Sequence, residues 1–168
     1  MDFLARFPSQ IAASSKTGAQ SYKLIPGLYA VHGLPTGTPA PNAAYLLNDG
    51  TIAVFRGSPD PAKEEEAKAK LSAVYELGAG GQKGGSPSVP TGLVFLRLAD
   101  GVDIRERAEE IKGAGYEIAE TISYALNAAW LRALSNDIAD ALRGVASLEK
   151  IKSVENVEPQ MLMESARR

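Results

Sequence analysis

Residues 77–92 read Leu-Gly-Ala-Gly-Gly-Gln-Lys-Gly-Gly-Ser-Pro-Ser-Val-Pro-Thr-Gly, six glycines and two prolines in sixteen positions. Glycine loses the most backbone freedom on ordering, and proline has no N–H for a ladder. The stretch therefore predicts a linker or long loop. It separates an N-terminal region, residues 1–76, from a C-terminal domain, residues 93–168. Charge divides nearby. Residues 1–91 hold 8 basic and 7 acidic side chains, net +1, and residues 92–168 hold 10 and 13, net −3. The total of −2 argues against an electrostatic nucleic-acid binder.

Several chemistries are excluded at once. A chain of 168 residues that is 45% hydrophobic and 23% charged is globular in composition and long enough to bury an ordinary core. It has no cysteine, which removes disulfide scaffolds, thiol nucleophiles, zinc fingers and iron–sulfur sites. Its single histidine, His32, removes two-histidine mechanisms and His-rich metal sites. His32 sits beside Gly33 in a loop-rich segment and reads as a surface or structural residue. The glycines at 78–85 lack the strand-to-helix context and Lys-Ser/Thr of a phosphate loop. Asp100, Asp103 and Glu106 suit a helix start better than a metal site. No cofactor and no catalytic residues are expected. The apolar runs fall far short of a membrane span, and residues 1–8 lack a basic start followed by an apolar stretch. The expectation is a cytoplasmic protein with neither membrane nor nucleic acid as partner.

The N-terminal region is the less legible part. Residues 27–31 read as a strand. The runs 44–47 and 51–55 flank Asn48-Asp49-Gly50, an Asp-Gly hairpin signal. Asp60-Pro61 predicts the start of a helix, with Glu64, Glu65 and Glu66 at its positive end and Leu71, Val74 and Tyr75 as its apolar face.

The C-terminal domain reads more clearly. Leu93 to Leu98 is a strand. Asp103 to Lys112 is a helix, with Ile104, Ala108 and Ile111 on one side. Residues 116–124 and 128–133 are strands around a turn at Leu126-Asn127, with Trp130 in the core of a central strand. Ser135, Asn136 and Asp137 offer N-caps to a helix carrying Ile138, Leu142, Val145 and Leu148, and residues 152–158 alternate as a last strand. The order is β-α-β-β-α-β. The expected fold class is α+β: a ferredoxin-like antiparallel sheet with both helices on one face, plus a smaller N-terminal β-hairpin and helix region. The other sheet face must be solvated or covered. An RNA-recognition sheet would want basic residues around its aromatics, whereas Phe95 and Trp130 stand among aliphatic and acidic ones.

Three stretches carry a resemblance: Val94-Phe95-Leu96-Arg97-Leu98-Ala99-Asp100-Gly101-Val102-Asp103, Ile122-Ser123-Tyr124-Ala125-Leu126-Asn127-Ala128-Ala129-Trp130-Leu131, and Ile151-Lys152-Ser153-Val154-Glu155-Asn156-Val157-Glu158-Pro159. Residues 94–160 resemble the inhibitor-type propeptide of subtilisin-like serine proteases. The resemblance implies a non-catalytic inhibitor and folding chaperone acting in trans on such a protease. The open sheet face would pack on two protease helices, and Glu158 would cap their N-termini. Gln160 stands where the family often has a second acid. The tail Met161-Leu162-Met163-Glu164-Ser165-Ala166-Arg167-Arg168 would enter the substrate cleft. Either Ala166 fills the first specificity pocket and Met163 the fourth, or Arg167-Arg168 is read as a dibasic end. Against this stand two plain readings: Glu158 as a solvated strand residue, and residues 161–163 as a sheet extension packed on the N-terminal half. The alternative function is a structural or adaptor protein that reuses the propeptide-like fold for a different protein partner.

Overall fold

A computed structural model of the chain describes residues 3–16, 20–37, 39–60, 70–79 and 87–163. The strands are β1 (Gln10–Ala12), β2 (Gln20–Val31), β3 (Tyr45–Leu47), β4 (Ile52–Arg56), β5 (Leu71–Ala79), β6 (Pro87–Leu98), β7 (Tyr116–Ile122), β8 (Ala125–Ala133) and β9 (Val154–Met163). The α-helices are α1 (Ala108–Gly113), α2 (Ile138–Arg143) and α3 (Val145–Glu149). Among the described residues all nine strands join one sheet in the order β3-β4-β2-β5-β6-β8-β7, with β1 on β2 and β9 on β6. Every pairing is antiparallel.

This overturns the expected ferredoxin-like α+β fold. The protein is mostly antiparallel β, one curled sheet that runs on through both halves of the chain, and its helices are only five or six residues long. The segment 71–75 shows how the sequence misleads. Leu71, Ser72, Ala73, Val74 and Tyr75 are all buried. A strand covered on both faces carries consecutive buried residues, and apolar spacing alone does not separate it from a helix. Leu71, Val74 and Tyr75 thus belong to β5 rather than to a helix face. The rest of that expected helix, 61–69, and the centre of the expected linker, 80–86, lie outside the described residues.

Strand β6 is the hub. On one side it pairs β5 through Tyr75–Ser88 and Glu76–Pro87, then β8 from Leu93–Arg132 to Arg97–Ala128. On the other it pairs β9 from Ser88–Met163 to Leu98–Val154. Between the Pro90–Met161 and Val94–Pro159 pairs, Thr91, Gly92 and Leu93 stand opposite the single residue Gln160. The Thr91 hydroxyl donates to Gln160 Oε1 (2.7 Å) there. Gly92 takes φ +95°, and a Cβ on it would meet Ile138 Cγ1 at 3.3 Å. Two extra residues, not one, keep the faces of β6 in phase across the bulge.

The sheet curls until its N-terminal part reaches the outer edge of β9. Past β1, the Ser15 N–H donates to Val157 O (3.1 Å) and the Val157 N–H donates to Ser15 Oγ (2.8 Å). Ser14 Oγ bonds Asn156 Oδ1 (2.7 Å). Pro159 lies two residues on and presents no N–H, which blunts the rest of that edge.

Packing fills both sides of the curl. Val94, Leu96 and Leu98 of β6 meet Ala129, Leu131, Tyr116, Ile111, Leu148 and Val157 in one cluster. Phe3, Phe7, Ile11, Tyr22, Tyr75, Ile138 and Leu142 form a second, and Ala30, Leu47, Ile52, Val54, Val74 and Val89 a third. Arg6 ties the N-terminus to the second cluster. Its guanidinium lies 5.9 Å from the centres of both Phe3 and Phe7 and pairs with Asp137. Asp137 also N-caps α2 by accepting from the Ala139 N–H (2.9 Å).

Gly144 separates α2 from α3 because a side chain has no room there. A Cβ would stand 2.5 Å from Tyr116 Oη. That hydroxyl is buried and donates to the Ala141 carbonyl. Gly144→Ala is expected to destabilise by about 1–3 kcal/mol, whereas Gly113→Ala, which meets nothing within 4 Å, is expected to be neutral or slightly stabilising. Urea midpoints of the two variants check this contrast.

Candidate protein-binding surface

Alternation along β6 and β8 sorts their side chains. Val94, Leu96 and Leu98, with Ala129 and Leu131, face the helices and are fully buried. Phe95 and Arg97, with Trp130 and Arg132, therefore lie on the opposite face. Cross-strand register places Glu158 opposite Phe95, Phe95 opposite Trp130, and Trp130 opposite Glu120. The result is one row, acid–aromatic–aromatic–acid, across β9, β6, β8 and β7. Directly opposed residues hold their Cβ atoms about 4.5–5.5 Å apart, so the four side chains are neighbours.

The two rings sit edge to face with centroids 5.2 Å apart, a favourable quadrupole arrangement. Both are half-buried rather than enclosed, unlike the residues on either side of them. Glu120 is exposed and has no hydrogen bond or ion pair among the described residues. Glu158 is half-buried and accepts from Asn156 Nδ2 (2.9 Å). Its charge adds to burial in raising the Tyr22 phenol above its ordinary value. Of the arginines on this face, Arg132 is taken by Glu117 (2.7 Å). At the same end of the sheet Tyr124 and Leu126 are 91% and 62% exposed.

The residues expected to bind a protease divide into three sets. Glu158 is on the open face. Gln160 is held at the β6 bulge by Thr91. Met161, Leu162 and Met163 continue β9 against Pro90, Val89 and Ser88. Met161 packs against the Phe3–Phe7 cluster and Leu162 against the Val54–Val74–Val89 cluster, while Met163 is exposed. Glu164, Ser165, Ala166, Arg167 and Arg168 lie outside the described residues. The row Glu158–Phe95–Trp130–Glu120 is not legible in the sequence alone. Alternation of Phe95 and Arg97 with Val94, Leu96 and Leu98 was the available signal, but pairing across strands is needed to assemble the row.

His32 makes a second arrangement that invites a chemical reading. Ser72 Oγ donates to the Ala73 carbonyl (3.0 Å), so the imidazole Nε2–H is the group that donates to Ser72 Oγ (2.8 Å). The polarity is the reverse of a serine activated by a general base. Ser72 is also 0% exposed, and no carboxylate contacts His32 among the described residues. Burial lowers the imidazole pKa to about 4. The pair therefore joins β5 to the end of β2 as a structural contact. No group of three or more acidic or histidine side chains among the described residues is placed to hold a metal ion. No helix among them is long and apolar enough to cross a membrane.

Compared with known protein families, characterised proteins and solved structures, the chain matches none of them.

The His32 contact has a measurable pH signature. In the unfolded chain the imidazole titrates near 6.5, and in the fold near 4. As pH falls from 6.5 to 4, the unfolded chain takes up a proton that the fold refuses. Stability therefore declines across that window and levels off below it. The decline amounts to at most about 3 kcal/mol. Urea titrations from pH 7 to 4.5 are expected to show the slope in the wild type and to lose most of it in His32→Gln.

Proposed function

We propose that the chain is a non-catalytic protein-binding module, with the open face of β6, β7, β8 and β9 as its docking surface. One observation carries this reading: the Phe95–Trp130 pair is only partly buried on a face with a carboxylate at each end of its row, while the opposite face of the same strands is buried. An aromatic pair on a rigid sheet offers large contact area at little entropic cost. In the form that the propeptide resemblance implies, the partner is a subtilisin-like serine protease held in trans. Glu158 then meets helix N-termini of the protease, and the chain beyond β9 follows into the substrate cleft as an added strand.

A second reading, an adaptor for a different protein, is favoured by the end of β9. Met161 and Leu162 are committed to this protein's own hydrophobic clusters, and Gln160 is neutral where the family often has an acid.

A panel of subtilisin-like proteases separates the two. The proteins to compare are the wild type, a chain ending at Met163, and Trp130→Gln. The protease reading expects inhibition by the wild type that weakens at least about a hundredfold on truncation, because the tethered strand is lost. Binding without inhibition, unchanged by truncation and lost in Trp130→Gln, keeps the docking face and removes entry of the tail into the cleft. Absence of any complex across the panel removes the protease reading and leaves the adaptor.

A further inference from the structure

The row Glu158–Phe95–Trp130–Glu120 has a chemistry more specific than general stickiness. Aromatic faces attract cations through their quadrupole, most strongly at tryptophan, and a carboxylate beside the ring adds to the same potential. Here two aromatic rings are bracketed by two carboxylates in direct cross-strand register. Among the described residues the guanidinium placed over aromatic rings is that of Arg6, on Phe3 and Phe7, so no described cation sits on Trp130. Arg132, the nearest cation along β8, is already paired with Glu117. Arg97 lies one row further along β6, opposite Asn156 and Ala128, and its Nε is buried without a partner. It sits beside the row rather than on it.

We infer that this face recognises an arginine or lysine presented by an extended segment of the partner protein. The cation lies on the Trp130–Phe95 pair, between Glu120 and Glu158. The inference rests on the open face being a protein-docking surface in its adaptor form, where Glu158 is not committed to helix N-termini, and it names the chemistry of what docks there. Charge complementarity selects a basic segment over an acidic one, since an acidic side chain would meet two glutamates at once. Glu120 is exposed and carries the rim interaction. Glu158 is oriented by Asn156 and carries the more buried one.

Trp130 is the only tryptophan in the chain, so its fluorescence reports on this site alone. The probe is the peptide acetyl-Thr-Val-Arg-Val-Thr-amide, titrated into the full chain at low salt, with the Arg→Glu peptide as its counterpart. The basic peptide is expected to give a saturable change in Trp130 emission and the acidic one none. The double variant E120Q/E158Q, which keeps size and shape, is expected to weaken the basic peptide about fivefold or more. Raising salt from 20 mM to 300 mM is expected to weaken the wild type and to leave E120Q/E158Q nearly unchanged, on the order of a Debye-length effect. No saturable change, an equal response to the acidic peptide, or unaltered binding in E120Q/E158Q overturns the inference. If a partner protein still binds E120Q/E158Q as tightly as wild type but is lost from Trp130→Gln, the docking surface stands and the cation inference alone falls.

Discussion

The pairing of β9 along the whole of β6 is the interaction on which the rest of the structure depends. It runs from Ser88–Met163 to Leu98–Val154 and gives the central strand one continuous neighbour, while β5 and β8 share its other side. The bulge opposite Gln160 inserts two residues, so side chains before and after it keep their faces. Val89 and Leu162 lie on the same side as Phe95 and Glu158, and Met161 lies with Val157. An excess of one residue would have exchanged the two faces along half the strand, burying Phe95 and exposing Leu96. The open row exists because the register forbids that exchange.

Curling then decides how much of that face stays open. At one end the strands of the N-terminal half supply the cluster built on Ile52, Val54, Val74 and Val89, and the face is covered. At the other end, over β7 and β8, Phe95 and Trp130 are only partly buried. The contact of Ser15 with Val157 closes the remaining edge of β9 where it would otherwise invite a foreign strand. Edge recognition is blocked there, while face recognition is left available. This division is the physical basis for reading the protein as one that docks through side chains of the sheet face.

Local features of the sequence were legible where local chemistry dominates. The turn at Asn48–Gly50 stands at Asp-Gly and uses positive φ at Asn48, Asp49 and Gly50. Asp137 caps its helix with its own side chain. Strands at 93–98, 116–122 and 154–158 follow their alternation. Beyond local chemistry the sequence says less. The glycines and prolines between 77 and 92 predict a linker or long loop, whose centre, 80–86, lies outside the described residues. Yet Leu77, Gly78 and Ala79 end β5, Pro87 opens β6, and Gly92 is a bulge inside a strand. Glycine and proline report permitted backbone angles, and a bulge and a linker permit the same ones. Of the candidate binding residues, Glu158 lies on the open face, whereas Met161 and Leu162 support the core, and composition alone could not separate them.

By itself the amino-acid sequence determined that there is no thiol, a lone imidazole and a net charge of −2. It also determined which faces of β6 and β8 would differ, since alternation is a property of each strand taken singly. Tertiary structure alone decided which strands are neighbours. That choice depends on register and curl, summed over contacts between residues as far apart as Ser15 and Val157. Only such long-range pairing sets Glu158, Phe95, Trp130 and Glu120 side by side, because no short-range propensity relates residues that lie on four different strands.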